Sequence, residues 1–167
     1  ITAGFFKGES GIIKKLENNK MKTLLEILEE SDQKTIIWAN WVHNIEDITA
    51  ELRDKYGPES VVNFYGAVSG EDRSKAIKLF QEDPKCRFFI ANPSTGGYGL
   101  TLTAATLVIY YSNSFDAEHR LQSEERAHRI GQTKKVTYID LITEGTVDEK
   151  IVRSLKSKFR LSAQTLG

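Results

Sequence analysis

The middle of the chain carries an unbroken apolar run, Leu107-Val108-Ile109-Tyr110-Tyr111. A strand with one face in water alternates apolar and polar residues, whereas a parallel strand buried on both faces is apolar throughout. The run therefore predicts a strand inside a parallel sheet. Comparable short segments rich in β-branched and aromatic residues lie on both sides of it, at 35–39, 61–65, 87–91 and 136–141.

Apolar residues at helical spacing separate these strand segments. We predict helices from residue 20 onward, over 41–56, and at about 71–81, 117–129 and 146–159. Ser69 is the expected N-cap of the third helix, and Thr146 with Glu149 the expected capping box of the last. Strands alternating with helices predict a single α/β domain whose parallel sheet is covered by helices on both faces. Ligands of such sheets bind at the carboxyl ends of the strands, which directs attention to the loops after Tyr65, Ala91 and Tyr111.

Composition narrows the class of protein. A length of 167 residues suits one domain, and 23 basic against 23 acidic residues do not show the basic excess of a dedicated nucleic-acid binder. The single cysteine, Cys86, precludes an intrachain disulfide, which suits the cell interior. The longest apolar run is too short to span a bilayer, so no membrane association is expected. Residues 1–19 are interpreted as a linker or the tail of a preceding domain, and residues 20–167 as the domain itself.

One candidate site is the glycine segment, residues 92–103, which follows a predicted buried strand and is expected to open a helix. Its glycines permit close approach of the backbone to a ligand, and amide groups at a helix start attract phosphate. The alternative is a tight turn that needs glycine only for its dihedral angles. The segment alone does not choose between the two.

A second candidate is the arginine segment, residues 122–132. On a helix, Gln122, Arg126 and Arg129 would share one face, and two neighbouring guanidinium groups repel unless an anion lies between them. The segment taken alone fits better with a solvent-exposed face on which glutamates pair with arginines. His43, His119 and His128 have no cysteine or carboxylate cluster at metal-ligand spacing, so no metal site is predicted, and Trp38 and Trp41 are interpreted as core and rim packing.

Together the two segments resemble the SWI/SNF-like branch of superfamily-two helicases. The similarity covers GGYGLTLTAATLVIYY at 96–111, where the family has its motif V, and LQSEERAHRIGQTKKVTYIDLITEGTVDEKIV at 121–152, which contains motif VI. Upstream, TIIWANW at 35–41 resembles motif IV, and FYGAVSGEDRSKAIKLFQED at 64–83 resembles the segment that follows it. The resemblance spans about residues 20–155.

The resemblance implies the second, C-terminal RecA-like lobe of a two-lobe, DNA-dependent ATPase that translocates along double-stranded DNA. In such a lobe, Arg126 and Arg129 would be arginine fingers and Gln122 would position the site. Gly97 and Gly99 would line the nucleotide cleft. The residues expected to face the DNA backbone are Ser94, Thr95 and Thr101.

ATP with magnesium is expected to be bound mainly by the first lobe, because G-x-x-x-x-G-K-[ST], the phosphate loop, does not occur in these 167 residues. The chain alone should then be inactive as an ATPase. The expected partners are the N-terminal lobe of the same protein and double-stranded DNA, with a monomeric protein in the cell interior, or in the nucleus of a eukaryote. Two alternatives are a binding module that contacts nucleic acid without ATP and a regulatory domain that kept the fold but lost turnover.

Several positions depart from the family pattern. Asn92-Pro93 replaces the usual Ser-Thr ahead of the glycines, Thr101 replaces the usual Asn, and Phe115 replaces the usual Trp. These differences suggest a compact phage or bacterial member.

Overall fold

The computed structural model describes residues 5–7, 13–15, 19–66, 68–95 and 99–166. Within these residues seven strands and five α-helices follow one another along the chain. They are β1 (Phe5–Lys7), β2 (Ile13–Lys15), α1 (Asn19–Glu29), β3 (Thr35–Trp38), α2 (Val42–Tyr56), β4 (Val61–Phe64), α3 (Gly70–Glu82), β5 (Phe88–Ala91), β6 (Leu107–Tyr110), α4 (Ala117–Glu124), β7 (Thr137–Asp140) and α5 (Val147–Leu166).

Five strands form one parallel sheet in the order β4-β5-β3-β6-β7. The apolar run at 107–111 supplies β6, which pairs with β3 on one side and β7 on the other and is buried along its whole length. The predicted parallel sheet is confirmed, and all five predicted strand segments form strands. Their carboxyl ends lie at one edge of the sheet, as expected for parallel strands.

The core has two layers, one on each face of the sheet. Alternate residues of a strand point to opposite faces, so Ile37 and Ile109 pack with α1 and α2, whereas Trp38 and Val108 pack with α3 on the other face. Trp38 is fully buried and Trp41 is 52% exposed at the rim. Both faces are therefore covered, as the alternation of strands and helices predicts.

The beginning and the end of the described domain are joined by a buried ion pair. Lys20 in α1 pairs with Asp148 in α5, and the Lys20 ammonium also donates to the carbonyl of Tyr111 at 3.1 Å. Asp148 accepts a further hydrogen bond from the Thr143 N–H at 3.1 Å. The pair fixes the first turns of α1 and α5 at the carboxyl end of β6.

The sequence predicts a linker or the tail of a preceding domain over residues 1–19, without a strand. β1 and β2 nevertheless form a small antiparallel pair. The boundary at residue 20 stays a prediction.

Two predicted helices differ in the structure. The helix expected over 117–129 ends at Glu124, because the bonding beyond it departs from a regular helix: the Arg126 N–H donates three residues back, to Ser123 O at 3.3 Å, and the bond from the His128 N–H four residues back to Glu124 O is long, at 3.4 Å. Arg126 and Arg129 therefore lie in turns, and the shared helical face expected for them is wrong. The helix expected to open at the glycine segment is also absent from its described residues, 92–95 and 99–103.

The last helix is longer than predicted, reaching Leu166, and its cap is shifted. The Thr146 hydroxyl accepts from Asp148 N at 3.3 Å instead of from Glu149 N, and the Glu149 carboxylate accepts from Gly145 N at 3.0 Å. The expected capping box thus exists only in a modified form. The N-cap at Ser69 is confirmed, since its hydroxyl accepts from Asp72 N at 3.2 Å.

Candidate functional site

The glycine segment and the arginine segment lie against each other in the structure. The Nη1 atom of Arg129 donates to the carbonyl of Gly99 at 2.8 Å and to that of Leu100 at 3.0 Å. It also lies 3.4 Å from the hydroxyl of Thr101. One guanidinium nitrogen therefore contacts three successive residues of the glycine segment.

Further hydrogen bonds continue this contact along both segments. The N–H of Leu102 donates to the carbonyl of Arg126 at 2.9 Å. The side-chain nitrogen of Gln132 donates to three main-chain carbonyls, those of Thr103 at 3.0 Å, Ala105 at 3.0 Å and Ala127 at 3.1 Å. The two segments that the sequence marks as functional are thus one connected unit, although 18 residues of chain lie between 103 and 122.

Two glycines allow the turns that this contact requires. Gly99 has φ +67° and Gly131 has φ +102°, a region that residues with a Cβ rarely adopt. The open turn at Gly99 exposes its carbonyl to Arg129, and the turn at Gly131 brings Gln132 back toward the glycine segment. The dihedral explanation for glycine therefore holds at Gly99, and it is compatible with a ligand role.

An open depression of about 520 Å³ lies over this unit. Arg126 and Arg129 line it from one side, and burial, together with the charge of Arg129, lowers the pKa of the Arg126 guanidinium. Glu125 opposes this effect, but the depression still carries two cations against one anion. An anionic group bound there would offset both the burial of Arg126 and the repulsion. The residues that line the depression are Thr101, Glu125, Arg126, His128, Arg129 and Ile130.

Not every predicted site residue joins this depression. Gln122 lies in α4, where its side chain donates to Glu118 at 3.1 Å, and it does not line the depression. Gly97, predicted to line the nucleotide cleft, lies outside the described residues. Gly99 is exposed and lies beside the depression through its contact with Arg129.

The three residues predicted to face DNA fall into two groups. Ser94 donates from its N–H and from its hydroxyl to the side chain of Asn92, at 2.8 and 2.7 Å, and is exposed. The Thr95 hydroxyl donates to the carbonyl of Asn92 at 2.9 Å. Both therefore lie at the carboxyl end of β5, whereas Thr101 contacts Arg129 at the depression.

Sequence reasoning missed a buried charge cluster around Arg120. Its guanidinium bonds to Glu124 at 2.6 Å, to Asp140 at 2.6 and 3.2 Å and to Asn113 at 2.8 Å. It also stacks on the ring of Tyr110 at 3.5 Å. Burial works against the charge, but the hydrogen bonds to Asp140 and Glu124 and the nearby negative charge raise the pKa of Arg120. The spacing of Arg120 and Glu124, four residues apart on a predicted helix, was the available signal.

Two kinds of feature are absent from the described residues. No three His, Cys, Asp or Glu side chains among them lie close enough to hold a metal ion. None of the described helices is both long and apolar enough to cross a membrane.

Comparison with known proteins identifies the family. The family model "Helicase conserved C-terminal domain" matches residues 19–131. The TATA-binding protein-associated factor MOT1 of Saccharomyces cerevisiae is 31% identical over 161 residues, which cover 96% of this chain and 8% of that protein. The chromatin-remodeling ATPase INO80 of Mycosarcoma maydis is 34% identical over 148 residues, covering 89% of this chain and 8% of that protein. The chain thus spans less than a tenth of the length of these two relatives.

Solved structures agree with the sequence comparison. The C-terminal part of the Fun30 ATPase domain superimposes with a TM-score of 0.75 at 29% identity, covering 83% of this chain and 46% of that one. The SWI2/SNF2 ATPase C-terminal domain of Sulfolobus solfataricus superimposes with a TM-score of 0.66 at 26% identity, covering 84% and 57%. The fold is therefore the RecA-like one that the resemblance implies. The chain belongs to the helicase conserved C-terminal domain family and is the C-terminal lobe of a SWI/SNF-like superfamily-two helicase.

Proposed function

We propose that this chain is the second motor lobe of an ATP-dependent translocase on double-stranded DNA, and that it presents Arg126 and Arg129 to a nucleotide bound by the first lobe. Three of the similar proteins are named as ATPases, and others are named DNA excision repair protein ERCC-6-like and chromodomain-helicase-DNA-binding protein 1-like. ATP with magnesium and DNA are the corresponding ligands of this chain in our proposal. Its partner is the N-terminal lobe of the same protein.

The observation that carries the proposal is the pair of guanidinium groups over an open depression. Arg126 is only 6% exposed, and the neighbouring positive charge of Arg129 lowers its pKa. Two cations close together in a partly desolvated place repel each other, and a bound anion offsets that repulsion. The triphosphate of ATP, carried by the first lobe, supplies that anion when the lobes close.

The chemistry assigned to the two arginines is electrostatic. Charge accumulates on the oxygens of the transferring phosphoryl group, and a correctly placed arginine stabilises it, with an effect of about 10³–10⁵ on the rate. The hydrogen bonds from Arg129 to Gly99 and Leu100 use Nη1, and its Nη2 and Nε make no described hydrogen bond. Arg129 can therefore contact phosphate while staying anchored. Gln122 bonds within α4, so a direct role at the nucleotide requires its side chain to turn away from Glu118.

The DNA track is assigned to Ser94, Thr95 and Thr101. Hydroxyl and main-chain N–H groups contact phosphate oxygens without reading sequence. Because basic and acidic residues balance at 23 each, the chain alone offers few positive charges to the duplex. Thr101 contacts Arg129 as well, so the DNA track and the nucleotide side meet at this residue.

The test is ATP turnover in the full-length two-lobe protein. We expect Arg129→Ala and Arg126→Ala each to lower DNA-stimulated kcat by at least about a hundredfold, with a smaller change in KM. Arg53→Ala is the control, because Arg53 is an exposed arginine in the last turn of α2, on another part of the lobe.

The alternatives predict different results. A module that binds nucleic acid without ATP, or a regulatory domain without turnover, would show no DNA-stimulated hydrolysis in the wild-type protein. Turnover near wild type in well-folded Arg126→Ala and Arg129→Ala variants would refute the assignment of arginine fingers.

A further inference from the structure

Gln132 is the last residue of the arginine segment, and its side chain makes an unusual set of contacts. Its nitrogen lies 3.0–3.1 Å from the carbonyls of Thr103, Ala105 and Ala127, so two N–H hydrogens serve three acceptors. Its oxygen accepts from the Lys134 N–H at 3.1 Å. Every polar atom of this side chain is therefore used.

The three carbonyls depend on this side chain. The chain between Leu102 and Leu107 forms neither helix nor strand, so the carbonyls of Thr103 and Ala105 lie outside the ladders that satisfy main-chain acceptors. Ala105 and Ala127 are completely buried. A buried carbonyl that loses its donor destabilises the fold, which makes the contact a strong constraint on the position of both segments.

The contact lies close to Arg129. The Gln132 N–H donates to the carbonyl of Arg129 at 2.9 Å and closes the turn that contains Ile130 and Gly131. Next to the Gln132 contacts, the two segments are joined by the main-chain hydrogen bond between Leu102 and Arg126. Beyond that bond, the Arg129 guanidinium donates to the carbonyls of Gly99 and Leu100. Gln132 makes the contacts at one end of this row of hydrogen bonds, and Arg129 makes those at the other end.

We propose that Gln132 is a positioning residue for Arg126 and Arg129, one that fixes the arginine segment against the glycine segment at the nucleotide cleft. This inference rests on the proposed function of the two arginines. Gln132 does not line the depression itself and acts through the backbone that carries them. Since a shift of about 1 Å in a catalytic group costs about a hundredfold in rate, loosening this backbone lowers kcat more than it weakens nucleotide binding.

The chain supplies a matched control in Gln81. Its side chain, in α3, also contacts the end of the glycine segment: Nε2 donates to the Thr103 hydroxyl at 3.2 Å and Oε1 accepts from the Ala104 N–H, one residue further on, at 2.8 Å. Both glutamines are partly buried, and both bond to the same stretch of chain. Gln81, however, makes no described hydrogen bond to the arginine segment.

The experiment compares Gln132→Met with Gln81→Met in the full-length two-lobe protein. Methionine is close to glutamine in size and forms none of these hydrogen bonds. We expect Gln132→Met to lower DNA-stimulated kcat by about tenfold or more while KM for ATP stays within about twofold. We expect Gln132→Met and Gln81→Met to lower the melting temperature by similar amounts. Gln81→Met should leave kcat within about twofold of wild type. Turnover is measured well below both melting temperatures, so that each enzyme is folded.

Two results would overturn the inference. One is a kcat near wild type in Gln132→Met, and the other is an equal loss of kcat in both variants, which would indicate a structural role alone. If Gln132→Met does not fold, Gln132→Asn replaces it under the same criteria, because it keeps the donor but withdraws it by one carbon. Arg129→Ala in the same series separates the two hypotheses: near-normal turnover there refutes the proposed function, whereas its loss with normal Gln132→Met turnover refutes only the role of Gln132.

Discussion

Two arginine clusters lie within ten residues of each other and differ in how their charge is balanced. Arg120, 9% exposed, bonds to Glu124, Asp140 and Asn113, so one cation meets two carboxylates. Arg126, 6% exposed, has the cation of Arg129 as a neighbour, and the carboxylate of Glu125 acts against that repulsion. The two arginines are thus similarly buried, but Arg120 lies among carboxylates whereas Arg126 lies beside a second cation.

The difference shows why residue type alone did not identify the site. A buried guanidinium that meets its carboxylates holds elements together, here α4 against the end of β7. For a buried guanidinium beside a second cation, as at Arg126, we propose an anion from outside the chain as a ligand. The pKa directions express the contrast, because the surroundings raise the pKa of Arg120 and lower that of Arg126.

The largest effect on stability is expected at Arg120. Arg120→Met leaves the carboxylates of Asp140 and Glu124 without their shared cation. These side chains keep 22% and 31% exposure. We therefore expect a loss of about 3 kcal/mol in the free energy of unfolding, the lower end of the range for breaking a buried pair. Urea denaturation monitored by circular dichroism measures it.

The control for Arg120 is Asp140→Asn, which keeps the size of the side chain and removes one carboxylate. Asp140→Asn should lower the free energy of unfolding by less than Arg120→Met does, because Glu124 and Asn113 still bond to the guanidinium. A free energy of unfolding for Arg120→Met within about 1 kcal/mol of wild type would show that the cluster does not stabilise the fold.

A much smaller effect on stability is expected at Arg126. Arg126→Met removes a cation that burial and Arg129 both disfavour, and methionine can keep the apolar part of the packing. We expect the free energy of unfolding to change by less than about 1 kcal/mol, in either direction, by the same urea titration. A loss as large as that of Arg120→Met would contradict the contrast between the two clusters.

The strands could be predicted from sequence because burial on both faces forces an apolar composition. The run at 107–111 is such a case, and its position inside the sheet followed directly. The ends of the helices were harder to predict from the sequence. Beyond the end of α4 at Glu124, Arg126 and Gln132 bond to Leu102 and Thr103 of the glycine segment, more than 20 residues earlier in the chain, and periodicity does not contain that information.

Three of the residues predicted for the site lie together in the structure, but their geometry was not predicted. Arg126, Arg129 and Thr101 do line one depression. Sequence spacing placed the two arginines on a helix, whereas turns present them, and it gave no role to Gln132. Side-chain bonds to distant main-chain carbonyls leave no periodic signal. Gly97 lies outside the described residues, and its role stays a prediction.

The central claim is that Arg129 is held in place for a phosphoryl group brought by the first lobe. The most direct measurement is the affinity of the full-length protein for ADP with aluminium fluoride, which mimics the transferring group, compared with its affinity for ADP alone. In Arg129→Ala, with Arg53→Ala as control, we expect the affinity for the mimic to fall by about a hundredfold or more and the affinity for ADP to stay within about threefold. Equal changes in the two affinities, or no change in either, would contradict the account.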